Sequence, residues 1–160
     1  MSMQRYDFLF ILPNISFRNI PYLCIMIKGP TIYLKTNTSI LTRTALRLIA
    51  KETIQYCIAT FGVKRSLPLP TVSIIKRGGS RKYGQYDVTN NHIQIHYNVC
   101  GTVQMLIQTL IHEYTHYTQN LKRYDVLYCK FGYNKHPQEI EARGNEKHYS
   151  PCWKQIKNKI

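Results

Sequence analysis

The sequence predicts an α+β fold, and three observations carry that prediction. Apolar residues recur at helical spacing over residues 40–61 and again from residue 103 to about 120. Between these stretches, TVSII (71–75) is rich in β-branched residues, and YGQYDVTNNHIQIHYN (83–98) alternates as a hairpin does. The size, 160 residues and 18.8 kDa, suits one domain, and 44% hydrophobic residues suffice for a core without covalent staples.

Residues 1–30 read as an apolar appendage ahead of a domain over 31–160. The runs FLFIL (8–12) and IPYLCIMI (20–27) are separated by Pro13, Asn14, Arg18 and Asn19. Neither approaches the ~20 apolar residues that span a bilayer, so no membrane partner is expected. TIYLK (31–35) alternates like a short strand. The first helix has Thr38 or Ser39 as its N-cap, Gly62 as its stop, and Ile40, Leu41, Ala45, Leu48 and Ile49 as its core stripe. LPLP (67–70) is an extended connector leading into the strand TVSII.

The basic loop KRGGSRKYG (76–84) lacks a phosphate-cradling pattern and reads as solvated. Asn90-Asn91 marks the hairpin turn. In the second arm Ile93, Ile95 and Tyr97 point one way, Gln94 and His96 the other. His92 and His96 read as exposed strand residues, and residues 93–97 as a sheet edge open to an extended peptide. Thr102 caps the next helix. Residues 121–135 read as a loop. His136-Pro137 opens a last helix, with proline at the first position, which ends before Pro151. PCWKQIKNKI is a short basic tail whose Trp153 packs back on the body.

The charge is lopsided, with 22 Lys+Arg against 8 Asp+Glu and a net +14. Such a surface attracts polyanions, which makes nucleic acid a candidate partner. Cysteines stand at 24, 57, 100, 129 and 152 with no CxxC pair, so neither a disulfide framework nor a zinc knuckle is indicated. Reduced thiols and a cytoplasmic location are the expectation.

The chemistry concentrates in TLIHEYTHYTQN (109–120), which contains HExxH. At about 100° per residue, His112 and His116 share one helix face with Met105, Gln108, Thr109 and Gln119. Val103, Leu106, Ile107, Leu110, Tyr114, Tyr117 and Leu121 occupy the opposite face. The helix thus buries its back and presents two imidazoles one turn apart, which can chelate one ion. Glu113 lies beside them, where a base for a metal-bound water belongs. A catalytic zinc needs a third protein ligand and an open position. Position 122 is lysine and position 119 glutamine, which excludes the HExxHxxGxxH arrangement. The next candidates lie in HPQEIEARGNE (136–146), where Glu139, Arg143 and Glu146 share a face and Ala142 permits close helix approach. Glu139, Glu141 and His136 are the alternatives for the third ligand.

HEYTH followed by EIEA resembles the gluzincin metallopeptidases, and the longer phrase HEYTHYTQ…HPQEIEAR is similar to small metallopeptidases of phage and bacterial type. The likeness spans roughly residues 70–150. It implies a small zincin-like domain, a Zn²⁺ cofactor, Glu139 as third ligand through its ExxA phrase, and a peptide or protein substrate. Many gluzincins carry Asp after the small residue as a partner for a zinc histidine. Here that position is Arg143, so the role passes to another acid, Glu146 or Asp125, or Arg143 pairs with Glu139 instead. The implied reaction is peptide-bond hydrolysis with Glu113 as general base. Tyr86, His148 and Tyr149 are candidates to steady the oxyanion.

Two rival readings follow from the same residues. One is a basic nucleic-acid-binding protein with a closed structural zinc, its fourth ligand from His136 or Glu141. The other is a protease of DNA-bound proteins, as some SprT-like enzymes are. Those enzymes use a third histidine about fifteen residues after HExxH, where this chain has Lys130 and Phe131.

Overall fold

The computed structural model describes residues 31–76 and 81–160. The appendage expected over 1–30 and the centre of the basic glycine loop lie outside the described residues. Helix α1 (Arg43–Phe61) starts where the Thr42 hydroxyl accepts the Ala45 amide, and ends at Gly62, whose φ of 77° suits a residue without Cβ. The cap is therefore Thr42, not Thr38 or Ser39, which lie in a preceding 3-10 turn (Thr38–Ile40). Of the expected stripe Ile49 is buried, Leu41, Ala45 and Leu48 are half-buried and Ile40 lies on the surface, while Leu46, Ala50, Ile54 and Cys57 complete the buried face.

Strand β1 (Thr71–Ile75) matches its expected bounds, and β2 (Gly84–Asp87) and β3 (His92–His96) form the hairpin. Asp87 Oδ1 accepts the Thr89 and Asn90 amides in its turn, and Asn91 adopts φ 47°, which asparagine tolerates. The strand order is β1-β3-β2, with β1 parallel and β2 antiparallel to β3. β3 is therefore the central strand, and the edge expected at residues 93–97 belongs instead to β2. His92 is half-buried and ties the sheet together, its ring nitrogens bonding Thr71 Oγ1 (2.7 Å) and Ser73 Oγ (2.8 Å). His96 is fully buried rather than exposed, because its Nδ1 donates to the Lys82 carbonyl (2.8 Å) where the chain enters β2.

Tyr97 leaves the strand and begins the short α2 (Tyr97–Cys100), closed by Gly101 at φ 73°. Residues 31–35 form no strand. The segment instead presents its carbonyls to the start of the next helix: Thr36 O accepts the Val103 amide and Leu34 O the Gln104 amide. Two amides that a helix N-terminus leaves without partners are satisfied this way. The Thr102 hydroxyl accepts the Met105 amide and caps α3 (Val103–Thr118) as expected.

Helix α3 is the core of the fold. Val103, Leu106, Ile107, Leu110, Ile111, Tyr114 and Tyr117 are fully buried, each aliphatic contributing roughly 1.5–3 kcal/mol of burial. The two phenols keep polar partners: Tyr114 Oη donates to Gly62 O (2.7 Å), and Tyr117 Oη accepts the Lys64 amide (3.2 Å). These bonds lock the exit of α1 against α3.

Residues 121–135 are not a loop. A 3-10 turn (Leu121–Arg123) runs into α4 (Tyr124–Lys135), which buries none of its residues and is kinked at Gly132 (φ 65°). α5 (Pro137–Asn145) starts with Pro137 at its first turn and packs on α3 through the fully buried Ala142. A 3-10 turn (Glu146–His148) leads to α6 (Tyr149–Ile156), so the expected basic tail is helical. Cys152 and Ile156 enter the core and Trp153 packs against it. Among the described residues no helix is long and apolar enough to cross a membrane.

Candidate metal centre

Helices α3 and α5 bring His112, His116 and Glu139 together as a group able to hold a metal ion. His116 Nε2 lies 3.2 Å from His112 Nε2, His112 Nε2 lies 3.4 Å from Glu139 Oε2, and His116 Nε2 lies 3.3 Å from Glu139 Oε1. A tetrahedral ion with bonds of about 2.0–2.1 Å holds its ligand atoms roughly 3.3 Å apart. The two imidazole nitrogens stand at that spacing from each other, and the Glu139 carboxylate sets one oxygen about as far from each of them. Glu139 is 3% exposed, and its Oε2 is a buried oxygen without a hydrogen-bond partner. Oε1 accepts the Tyr124 hydroxyl (2.9 Å). A buried, unsatisfied carboxylate oxygen turned to an imidazole is what a cation-binding site requires.

The far side of each imidazole is fixed as well. His112 Nδ1 lies 2.8 Å from Glu146 Oε1, so of Glu146 and Asp125 the acid that stands behind His112 is Glu146. His116 Nδ1 lies 2.9 Å from Gln119 Oε1. The Gln119 amide nitrogen donates to Gln138 O (3.0 Å) and Glu141 Oε2 (2.9 Å), which turns its oxygen toward His116. His116 Nδ1 must therefore carry the hydrogen, leaving the Nε2 lone pair toward the group. Outer partners of this kind orient metal-binding histidines and raise their basicity.

The alternatives for a third or fourth ligand are committed elsewhere. His136 Nδ1 accepts the Gln138 amide as the cap of α5, and its Nε2 donates to Tyr124 O (3.1 Å). Glu141 is held on Gln119. Arg143 does not pair with Glu139; it donates to Asn134 O (2.7 Å) and lies over the Tyr133 ring. Lys130 and Phe131 lie on the exposed α4.

Glu113 is buried beside the group. Burial pushes its carboxyl pKa up, opposed by the two imidazoles and by a hydrogen bond from the Tyr86 amide. Burial alone would depress His112, but its bonds to Glu139 and Glu146 outweigh that and push it up to about 9. Burial likewise opposes ionisation of Glu139, yet the His112 and His116 imidazoles and the Tyr124 hydroxyl beside it hold it far below the usual carboxylate range. Without a metal, the site thus stores a proton on His112, which an incoming ion must displace.

The oxyanion candidates hold other partners. Tyr86 Oη donates to Asn91 (2.9 Å), His148 Nδ1 lies on the Tyr56 hydroxyl (3.3 Å), and Tyr149 packs on the core. Tyr124 and Tyr133, both on α4, reach Glu139 instead. Nothing in the spacing marks them, since α4 has no buried stripe. Gln119, one turn past His116 on the same face, had a readable position but not a readable role. The group opens on a cleft of about 1460 Å³ whose lining includes Gly84, Gln85 and Tyr86 of β2. No protein-family model matches this chain, and neither a curated protein nor a solved structure is significantly similar to it.

Proposed function

We propose that this chain is a zinc-dependent peptidase of gluzincin-like type, with His112, His116 and Glu139 holding the ion. The observation that carries the reading is the ligand geometry: two imidazole nitrogens at tetrahedral spacing with one Glu139 oxygen turned to each, both histidines oriented from behind, and no fourth protein ligand among the described residues. Two imidazoles and one carboxylate suit zinc, which when bound polarises a carbonyl and acidifies a water.

The chain's own residues supply the rest. Glu113 takes a proton from the attacking water and delivers it to the departing amine nitrogen. Its raised proton affinity helps it hold that proton until the amine takes it. The Tyr86 amide fixes the Glu113 carboxylate. Because that amide points to Glu113 while Tyr83 O accepts the His96 amide, strand alternation turns the Gly84 amide and the Gly84 and Tyr86 carbonyls toward the cleft. An extended peptide adds there as a further strand.

The test is hydrolysis of an unstructured protein such as casein by the zinc-loaded chain. Cleavage should stop with a chelator and return with zinc. Glu113→Gln should keep the metal and lose about 10²–10⁴-fold in turnover, because an amide cannot accept the proton. Absence of cleavage by the loaded chain, or an unimpaired Glu113→Gln variant, refutes the reading.

A further inference from the structure

The cleft is walled by cations. Lys64, Arg81, Lys82, Lys122 and Arg143 all line it, and Arg81 and Lys122 are exposed. The acids that might neutralise Arg81 and Lys122 are engaged by other groups. Glu113, Glu139 and Glu146 form the floor, Glu52 pairs with Lys159 (2.9 Å), Asp87 holds the hairpin turn, and Glu141 supports Gln119. Only Asp125 remains as a further acid on the wall among the described residues.

The order of these charges along the cleft follows from β2. A Cβ on Gly84 would fall 2.9 Å from Thr109, and the Tyr86 amide reaches Glu113. β2 therefore runs beside α3 in the same direction. Arg81 precedes β2, toward the N-terminal half of α3, and Lys122 follows the C-terminal end of α3. A segment laid along β2 meets a cation on each side of Glu113. We propose that the cleft selects acidic protein segments, with Asp or Glu on both sides of the cleaved bond, and that Arg81 and Lys122 read those carboxylates. The proposal rests on the peptidase reading and names its substrate class. Nucleic acid fits less well, because its continuous phosphates would cross the carboxylates of Glu113, Glu139 and Glu146. A peptide presents a neutral amide there and carries its charges to either side. Basic segments would meet like charge at both ends.

The experiment is calorimetric titration of the full-length, zinc-loaded Glu113→Gln protein, whose turnover should be slowed about 10²–10⁴-fold. The probes are three synthetic peptides that differ only in flanking residues, Asp/Glu, Asn/Gln or Lys, and a single-stranded oligonucleotide. The acidic peptide should bind at least about tenfold tighter than the Asn/Gln peptide at low salt. The preference should vanish in about 1 M salt, where the screening length is about 3 Å. Adding Arg81→Glu and Lys122→Glu, both at exposed positions, should abolish or invert it. Equal or tighter binding of the neutral or basic peptide overturns the proposal, as does failure of every peptide to bind. A preference untouched by the two reversals overturns the assignment to Arg81 and Lys122. Tighter binding of the oligonucleotide through the same residues makes the cleft a nucleic-acid site instead. Wild-type hydrolysis separates this inference from the parent reading. Cleavage of casein without acidic preference sinks only the substrate class, whereas acidic preference without any cleavage sinks only the peptidase.

Discussion

Replacing Glu146 tests whether the site depends on what stands behind its ligands. Glu146 Oε1 accepts from His112 Nδ1 at 2.8 Å, orienting the ring and raising its basicity. Loss of such a partner typically weakens metal affinity by 10–100-fold, or about 1.4–2.8 kcal/mol. The Glu146 side chain is 32% exposed, so water can replace the missing acceptor, and the loss from Glu146→Ala should lie near the tenfold end. The same carboxylate also helps hold a proton on His112, whose pKa stands at about 9. At neutral pH the substitution therefore weakens the ligand and relieves proton competition together, and the two effects partly cancel. Above about pH 9 only the first remains. Competition titration against a chromophoric zinc chelator should show a larger loss at pH 9.5 than at pH 7. Glu146→Gln, which keeps an acceptor but not the charge, should fall between Ala and wild type. Unchanged zinc affinity of Glu146→Ala at the higher pH would refute the reasoning.

Two further outcomes follow from the geometry. Glu139→Ala should cost far more zinc affinity than Glu141→Ala, since Glu141 touches the site only through Gln119; the same competition titration ranks them, and a reversed order removes Glu139 from the ligand set. In the metal-free chain the raised His112 pKa contributes stability that is fully present below its ordinary value of 6.5 and is lost as pH rises through about 9. Apo melting temperature should therefore fall between pH 7 and pH 10 while zinc affinity rises, and thermal melts that stay flat or climb over that interval contradict the assignment.

The legible parts of this molecule were those set by local rules. Thr102, the buried back of α3 and the shared front of His112 and His116 follow from one helical period, and Ala142 marks where α5 approaches. Even Glu146 could be shortlisted, because Arg143 left a role unfilled and Glu146 lies on the face of Glu139. What sequence spacing could not show was non-local. The central position of β3 depends on its parallel pairing with β1, which transferred the sheet edge to β2. His96 is buried only because the chain entering β2 passes over it. Helix α4 buries nothing, so no apolar period announced it, and with it went Tyr124 and Tyr133. The segment at 31–35 alternates like a strand, but its carbonyls serve the start of α3.

X-ray absorption at the zinc edge tests the central claim most directly, because it counts ligands without requiring a substrate. Full-length wild-type protein should bind one zinc per chain, coordinated by two imidazole nitrogens, one carboxylate oxygen and one water oxygen at about 2.0–2.1 Å. His112→Ala, His116→Ala and Glu139→Ala should each reduce or abolish occupancy. A folded wild type that takes up no zinc, or a closed shell of four protein ligands including sulfur or a third imidazole, would contradict the account.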